Sequence, residues 1–66
     1  MNTDIIEGNW EKLKGEVKQR WGKITDDKLV EIAGSRDKLL GEIQTQYGIA
    51  KDAAEEQLKA FEKTLH

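Results

Sequence analysis

The fold turns on two stretches, KLKGEVKQRWG at residues 12–22 and KLLGEIQTQYG at residues 38–48. They are two versions of one phrase. Laying residues 8–32 on 34–58, an offset of 26, pairs Gly8 with Gly34, Lys12 with Lys38, Leu13 with Leu39, Gly15 with Gly41, Glu16 with Glu42, Gly22 with Gly48 and Asp26 with Asp52. Val17 meets Ile43, Trp21 meets Tyr47 and Ile32 meets Leu58, pairs alike in chemistry. A phrase repeated with its glycines in phase marks one supersecondary unit written twice. The sequence therefore predicts an internal duplication, with units at about 8–32 and 34–58 inside one domain spanning 1–66.

Each unit reads as helix, tight turn, helix. Trp10, Leu13, Val17 and Trp21 recur at steps of three and four, the spacing of one helical face. Gly22 then stands where a positive-φ glycine stops a helix. Ile24 points back to the core, and Thr25 is a good N-cap, with Asp26 and Asp27 at the positive end of the next helix. Leu29, Ile32 and Ala33 form the apolar side of that short helix. Gly34 ends it and Ser35 caps the third. Leu39, Leu40, Ile43 and Tyr47 repeat the stripe, Gly48 stops it, and Ala50, Ala54, Leu58, Phe61 and Leu65 line a closing helix. Residues 1–7 read either as a loose arm or as a helix extension that Thr3 caps, with Ile6 above Trp10. No segment alternates as a strand does and there is no proline. The expected class is all-α, four helices in two hairpins that bury their stripes against each other.

The mid-helix glycines are the anomaly. At about 100° per residue, Gly15 lies roughly 150° from the centre of the Trp10, Val17, Trp21 stripe, and Gly41 is placed likewise. Each costs its helix about 1 kcal/mol relative to alanine. Either a neighbouring helix crosses closely there, or the bare backbone serves a partner. The shared feature favours packing, so a helix or turn is expected against at least one of the two.

Composition sets the outer limits. At 66 residues the chain is near the lower limit for a domain folding without staples. It has no cysteine, so disulfides and thiolate metal sites are excluded, and its lone histidine is His66. Hydrophobic and charged residues each make up 36%, and mean hydropathy is -0.77. The core is thin, and both tryptophans, Trp10 and Trp21, matter to it. The opening MNTDIIEGNW has neither the basic nor the apolar region of a secretory signal. No apolar run reaches the roughly 20 residues of a membrane helix, so a cytoplasmic location without membrane contact is expected.

The residues named so far, as they stand in GNWEKLKGEVKQRWGKITDDKLVEIAGSRDKLLGEIQTQYG, resemble the CsbD-like family of small bacterial stress-response proteins, its YjbJ branch in particular. The elements that carry the likeness are Gly8-Asn9-Trp10, Lys14-Gly15, Trp21-Gly22 followed by Thr25-Asp26-Asp27, Gly34-Ser35-Arg36-Asp37, Leu40-Gly41, Tyr47-Gly48 and Lys51-Asp52. The resemblance implies a bundle of two roughly orthogonal α-hairpins and a cytoplasmic role in the general stress response. It brings no catalytic, cofactor or metal residues with it.

The chemistry within the chain is sparse. Ser35 is the sole serine and stands at a cap. Asp26, Asp27 and Glu31, and again Asp52, Glu55 and Glu56, read as solvated first-turn carboxylates, because helix N-termini favour acidic residues and no calcium-loop spacing is present. No enzyme, cofactor or metal is expected. A contact face is the remaining candidate: Gly15 and Gly41 with the basic run Lys12, Lys14, Lys18, Arg20 and Lys23, which an exposed mixed-charge helix face also explains. The rival reading is a helix-hairpin-helix-like nucleic-acid module, its turns WGKIT and YGIAK offering amides to phosphate. Against it stand a net charge of -2, Asp26 and Asp27 after the first turn, and the lack of a second hairpin glycine. The expectation is a non-enzymatic monomer that works by protein contact or as a hydrophilic protectant.

Overall fold

The computed structural model describes residues 9–64. Among them are four helices and no strand: α1 at Trp10–Arg20, α2 at Asp26–Ile32, α3 at Arg36–Tyr47 and α4 at Lys51–Glu62. The readings of Thr3, Ile6 and Gly8 at one end, and of Leu65 and His66 at the other, lie outside the described residues.

The apolar stripes do what their spacing requires. Trp10, Leu13 and Val17 of α1 are buried, as are Trp21 and Ile24 of the following turn. Leu29 and Ile32 of α2, Leu39, Leu40 and Ile43 of α3, and Ala54, Leu58 and Phe61 of α4 close the same core. Both tryptophans are anchored by their indole N–H groups, as buried indoles require. Trp10 Nε1 donates to the carbonyl of Leu29 at 3.0 Å, and Trp21 Nε1 donates to Gln57 Oε1 at 2.9 Å. Phe61 meets Trp21 edge to face, with ring centroids 5.3 Å apart. Tyr47, read as a third core aromatic, is only half-buried; its hydroxyl reaches the first turn and accepts from the Lys23 N–H at 3.2 Å.

The caps fall where the sequence places them in two cases. Thr25 Oγ1 accepts from the Lys28 N–H at 3.2 Å, and Ser35 Oγ accepts from the Lys38 N–H at 3.4 Å. Gly48 terminates α3 with φ 61°, its N–H bonded to the Gln44 carbonyl. The other expected stops differ. Gly22 is not in the left-handed region; α1 ends instead at Trp21, φ -124°, and the Ile24 N–H folds back onto the Trp21 carbonyl at 3.0 Å. At the end of α2 the left-handed turn begins one residue early, at Ala33 (φ 49°), and continues through a buried Gly34 (φ 85°). Ala33 is thereby turned to solvent rather than to the core, and Ala50 is likewise exposed, being the residue before α4 rather than part of its stripe.

Candidate functional site

Gly15 and Gly41 both face open space. Among the described residues, a methyl group built on either meets no atom within 4 Å beyond its own helix. The packing expectation is thus overturned among the described residues: no helix or turn of theirs crosses at these points, because the neighbouring elements dock on the apolar stripes of α1 and α3. The angular argument places the glycines away from the core correctly, but nothing occupies the space it leaves for a second neighbour.

That space has a shape. Gly15 lies in a shallow groove between α1 and α2, lined also by Lys14, Lys18, Asp26, Leu29 and Val30. Gly41 lies in a second groove between α2 and α3, with Lys28, Glu31, Ile32, Lys38, Glu42 and Thr45. The two glycines therefore flank α2, one on each side. Among the described residues, Val30 is the large apolar side chain left in water, 65% exposed, on the rim of the first groove. In the second, the Gly41 carbonyl accepts from Thr45 Oγ1 at 2.9 Å.

The basic run does not gather into one patch. Lys14 and Lys18 share the Gly15 groove, but Lys14 is paired with Glu11 at 3.0 Å. Lys18 Nζ donates to the Ile24 carbonyl at 2.8 Å, stapling the turn after α1. Arg20 stacks its guanidinium 5.8 Å from the Trp21 ring and 6.0 Å from that of Phe61, on a different surface. Lys23 stands over Tyr47 with Nζ 5.1 Å from the ring. Lys12 is exposed and lines neither groove beside α2. Four of these five cations are thus engaged with their own domain.

The first turn bears on the nucleic-acid reading too. Its Lys23 and Ile24 amides donate to Tyr47 and Trp21, so they are not turned out toward a phosphate. Labelled duplex DNA titrated at about 150 mM salt, where the Debye length is near 8 Å, is expected to bind no more tightly than high micromolar. A submicromolar isotherm with a steep salt dependence would restore that module.

The sequence reading missed one constellation altogether. Arg36, in the first turn of α3, reaches across to α4. Its Nε donates to Glu62 Oε2 at 2.7 Å and its Nη2 to Glu62 Oε1 at 3.2 Å, while Nη2 also donates to Glu55 Oε1. Side-chain exposure is 13% for Arg36 and 4% for Glu62, so the fork is largely removed from water. The Glu62 and Glu55 carboxylates hold Arg36 still more firmly protonated than usual. The Arg36 hydrogen bond in turn holds Glu55 below the ordinary glutamate range. The stability Glu55 contributes is fully present above the ordinary glutamate pKa of about 4.3 and is lost as pH falls through its lowered folded value. Because Glu55 faces Arg36, it is not the free first-turn carboxylate its position suggests. Among the described residues no group of three acidic or histidine side chains could hold a metal ion. A partial clue existed: a cation in the first turn of a helix works against the helix dipole, so Arg36 needs counter-charges nearby.

Known proteins similar in sequence cover nearly the whole chain. The UPF0337 protein YjbJ of Escherichia coli O6:H1 is 51% identical over 63 residues, covering 96% of this chain and 91% of its own length. The UPF0337 protein ECA0631 of Pectobacterium atrosepticum is 52% identical over 62 residues, 94% of this chain and 90% of the relative. The UPF0337 protein pc0632 of Protochlamydia amoebophila is 50% identical over 62 residues, 94% of each. No solved structure matches significantly. The family model described as CsbD-like matches residues 4–56, most of the chain. The chain belongs to the CsbD-like family.

Proposed function

We propose that this is a non-enzymatic cytoplasmic protein of the bacterial general stress response, and that it acts by direct contact with another protein. One observation carries the contact reading. Gly15 and Gly41 sit in helix interiors, on exposed faces, with none of the described residues packed against them from another element. Each weakens its helix by about 1 kcal/mol, a large sum for so small a domain. Backbone left bare at that cost, in a groove on either flank of α2, suits close approach by a partner. The family match supports the stress context. No helix among the described residues is long and apolar enough to cross a membrane.

The two units also read as products of one duplication. Trp10 touches Leu29 and Arg36 touches Glu55, each pair 19 residues apart in sequence and related by the same offset of 26. That both pairs of equivalent positions are in contact, though through different chemistry, supports that origin and the arrangement in two α-hairpins, α1 with α2 and α3 with α4.

The alternative within the same class is a bulk hydrophilic protectant, and dosage separates the two. A strain lacking the gene is supplied with graded amounts of the protein and challenged with osmotic, ethanol and oxidative stress. Contact with a partner predicts protection that saturates once the partner is occupied. Protection that keeps rising in proportion to the amount of protein would contradict it.

A further inference from the structure

α2 ends and α3 begins across residues 33–35, where the backbone passes twice through the left-handed region, at Ala33 (φ 49°) and at Gly34 (φ 85°). Glycine visits that region freely, whereas alanine holds it against a steric cost. Among the described residues, Ala33 is the one non-glycine residue with a positive φ. The bend also interrupts two helices that would continue each other. On a straight helix at about 100° per residue, Leu29, Ile32, Leu39, Leu40, Ile43 and Tyr47 fall within an arc of about 100°. The stripes of α2 and α3 are thus in phase through the bend, with Gly34 and Ser35 outside the arc. Straightening would also join the last carbonyls of α2 and the first amides of α3 in one helical ladder, which the bend breaks.

We propose that residues 33–35 are an exchange hinge: straightened, they join α2 and α3 into one helix and let two copies of this chain swap their C-terminal halves. The contacts sort accordingly. Trp10 on Leu29 lies within the first half, and Arg36 on Glu55 and Glu62 within the second, so the swap disturbs neither. The halves are joined by Phe61 against Trp21, by Gln57 on the Trp21 N–H, by Arg20 over Phe61 and by Tyr47 on the Lys23 N–H. None of these involves the hinge, so each can be remade with the residues of the other copy. What changes is the hinge itself. The strain at Ala33 is released twice per dimer, against the entropy lost in pairing two chains. Exchange of an identical element is a low-cost route to a dimer, and short strained hinges and repeated units favour it. The swap does not rest on the contact reading for Gly15 and Gly41.

The test uses the full chain, warmed to its melting midpoint at about 1 mM, cooled, and sized by chromatography with light scattering. Gly34→Ala bars the left-handed turn and favours helix. It is expected to raise the dimer association constant at least roughly tenfold over the parent, since alanine gains about fivefold at each of two hinges. Because Gly34 is buried, its added methyl group also crowds the bent form, so a second variant isolates the hinge. Ala33 is exposed, and Ala33→Gly eases the bend while weakening the straight helix. Added to Gly34→Ala, it is expected to lower the constant again by roughly tenfold. Isotope-labelled and unlabelled chains, mixed before warming, then show which chain supplies each contact in the dimer. Trp21 is expected to meet Phe61 of the other chain, while Trp10 keeps Leu29 of its own. Absence of a dimer in both the parent and Gly34→Ala would overturn the exchange hinge. So would a dimer in which Trp21 meets Phe61 of its own chain, or a constant that Ala33→Gly leaves unchanged or raises.

Discussion

Trp21→Ala is expected to leave the domain largely unfolded. Trp21 is 2% exposed, lies at the junction of the turn after α1 with α4, and is held on three sides. Phe61 packs edge-on against its ring, the Arg20 guanidinium covers it at 5.8 Å, and its N–H is bonded to Gln57. Truncation of a buried tryptophan costs about 3–5 kcal/mol. A domain of this length has roughly 3–10 kcal/mol in all, at about 0.05–0.15 kcal/mol per residue. Far-UV circular dichroism and urea melts check this. Trp21→Phe keeps most of the ring and gives up the Gln57 bond, so it should fold and melt lower than the parent. Cooperative melting of Trp21→Ala near the parent's midpoint would show that the stripe is not the core of the fold.

Arg36→Ala is the second large effect. Removing the guanidinium strands Glu62, whose side chain is 4% exposed, without a counter-charge. Breaking a buried pair from one side typically costs about 3–5 kcal/mol. The cost comes from the partner left behind, so a double variant, Arg36→Met with Glu62→Leu, should recover most of the stability. Urea melts of the single and double variants at neutral pH decide the matter. A loss under about 1 kcal/mol for Arg36→Ala, the range of an exposed pair, would place the triad in effectively aqueous surroundings.

These two effects differ in how far the sequence discloses them. Trp21 is legible because Trp10, Leu13, Val17 and Trp21 repeat at helical spacing, and local periodicity is what a sequence states directly. The same holds for Thr25 and Ser35, whose capping oxygens need only the amide three residues on. Arg36 finds Glu55 and Glu62 through folding, 19 and 26 residues away, and no local pattern encodes that distance. The repeat itself both helped and misled. It placed the four helices, yet Gly22 and Gly48, identical in letter, adopt different backbones, because the first turn is closed by Lys18 on Ile24 and by Tyr47 on Lys23. Tyr47 itself stands only half-buried where Trp21 is sealed, since its hydroxyl is spent on the turn rather than in the core. The candidate contact face was legible as an anomaly in Gly15 and Gly41, but the basic run beside it dissolves in three dimensions. Lys18 and Lys23 hold turns, and Arg20 covers an aromatic pair on another surface.

The outward glycines give the account its central claim, and one comparison addresses it most directly. Gly15→Ala and Gly41→Ala, singly and together, are measured for stability and then for protection of stressed cells at matched protein levels. With open space at both positions, each alanine should raise stability by up to about 1 kcal/mol. If the grooves beside α2 receive a partner's backbone, the more stable double variant should nevertheless protect cells less well than the parent. A double variant that is more stable and protects fully would contradict the account, because the bare backbone at Gly15 and Gly41 would then serve no contact.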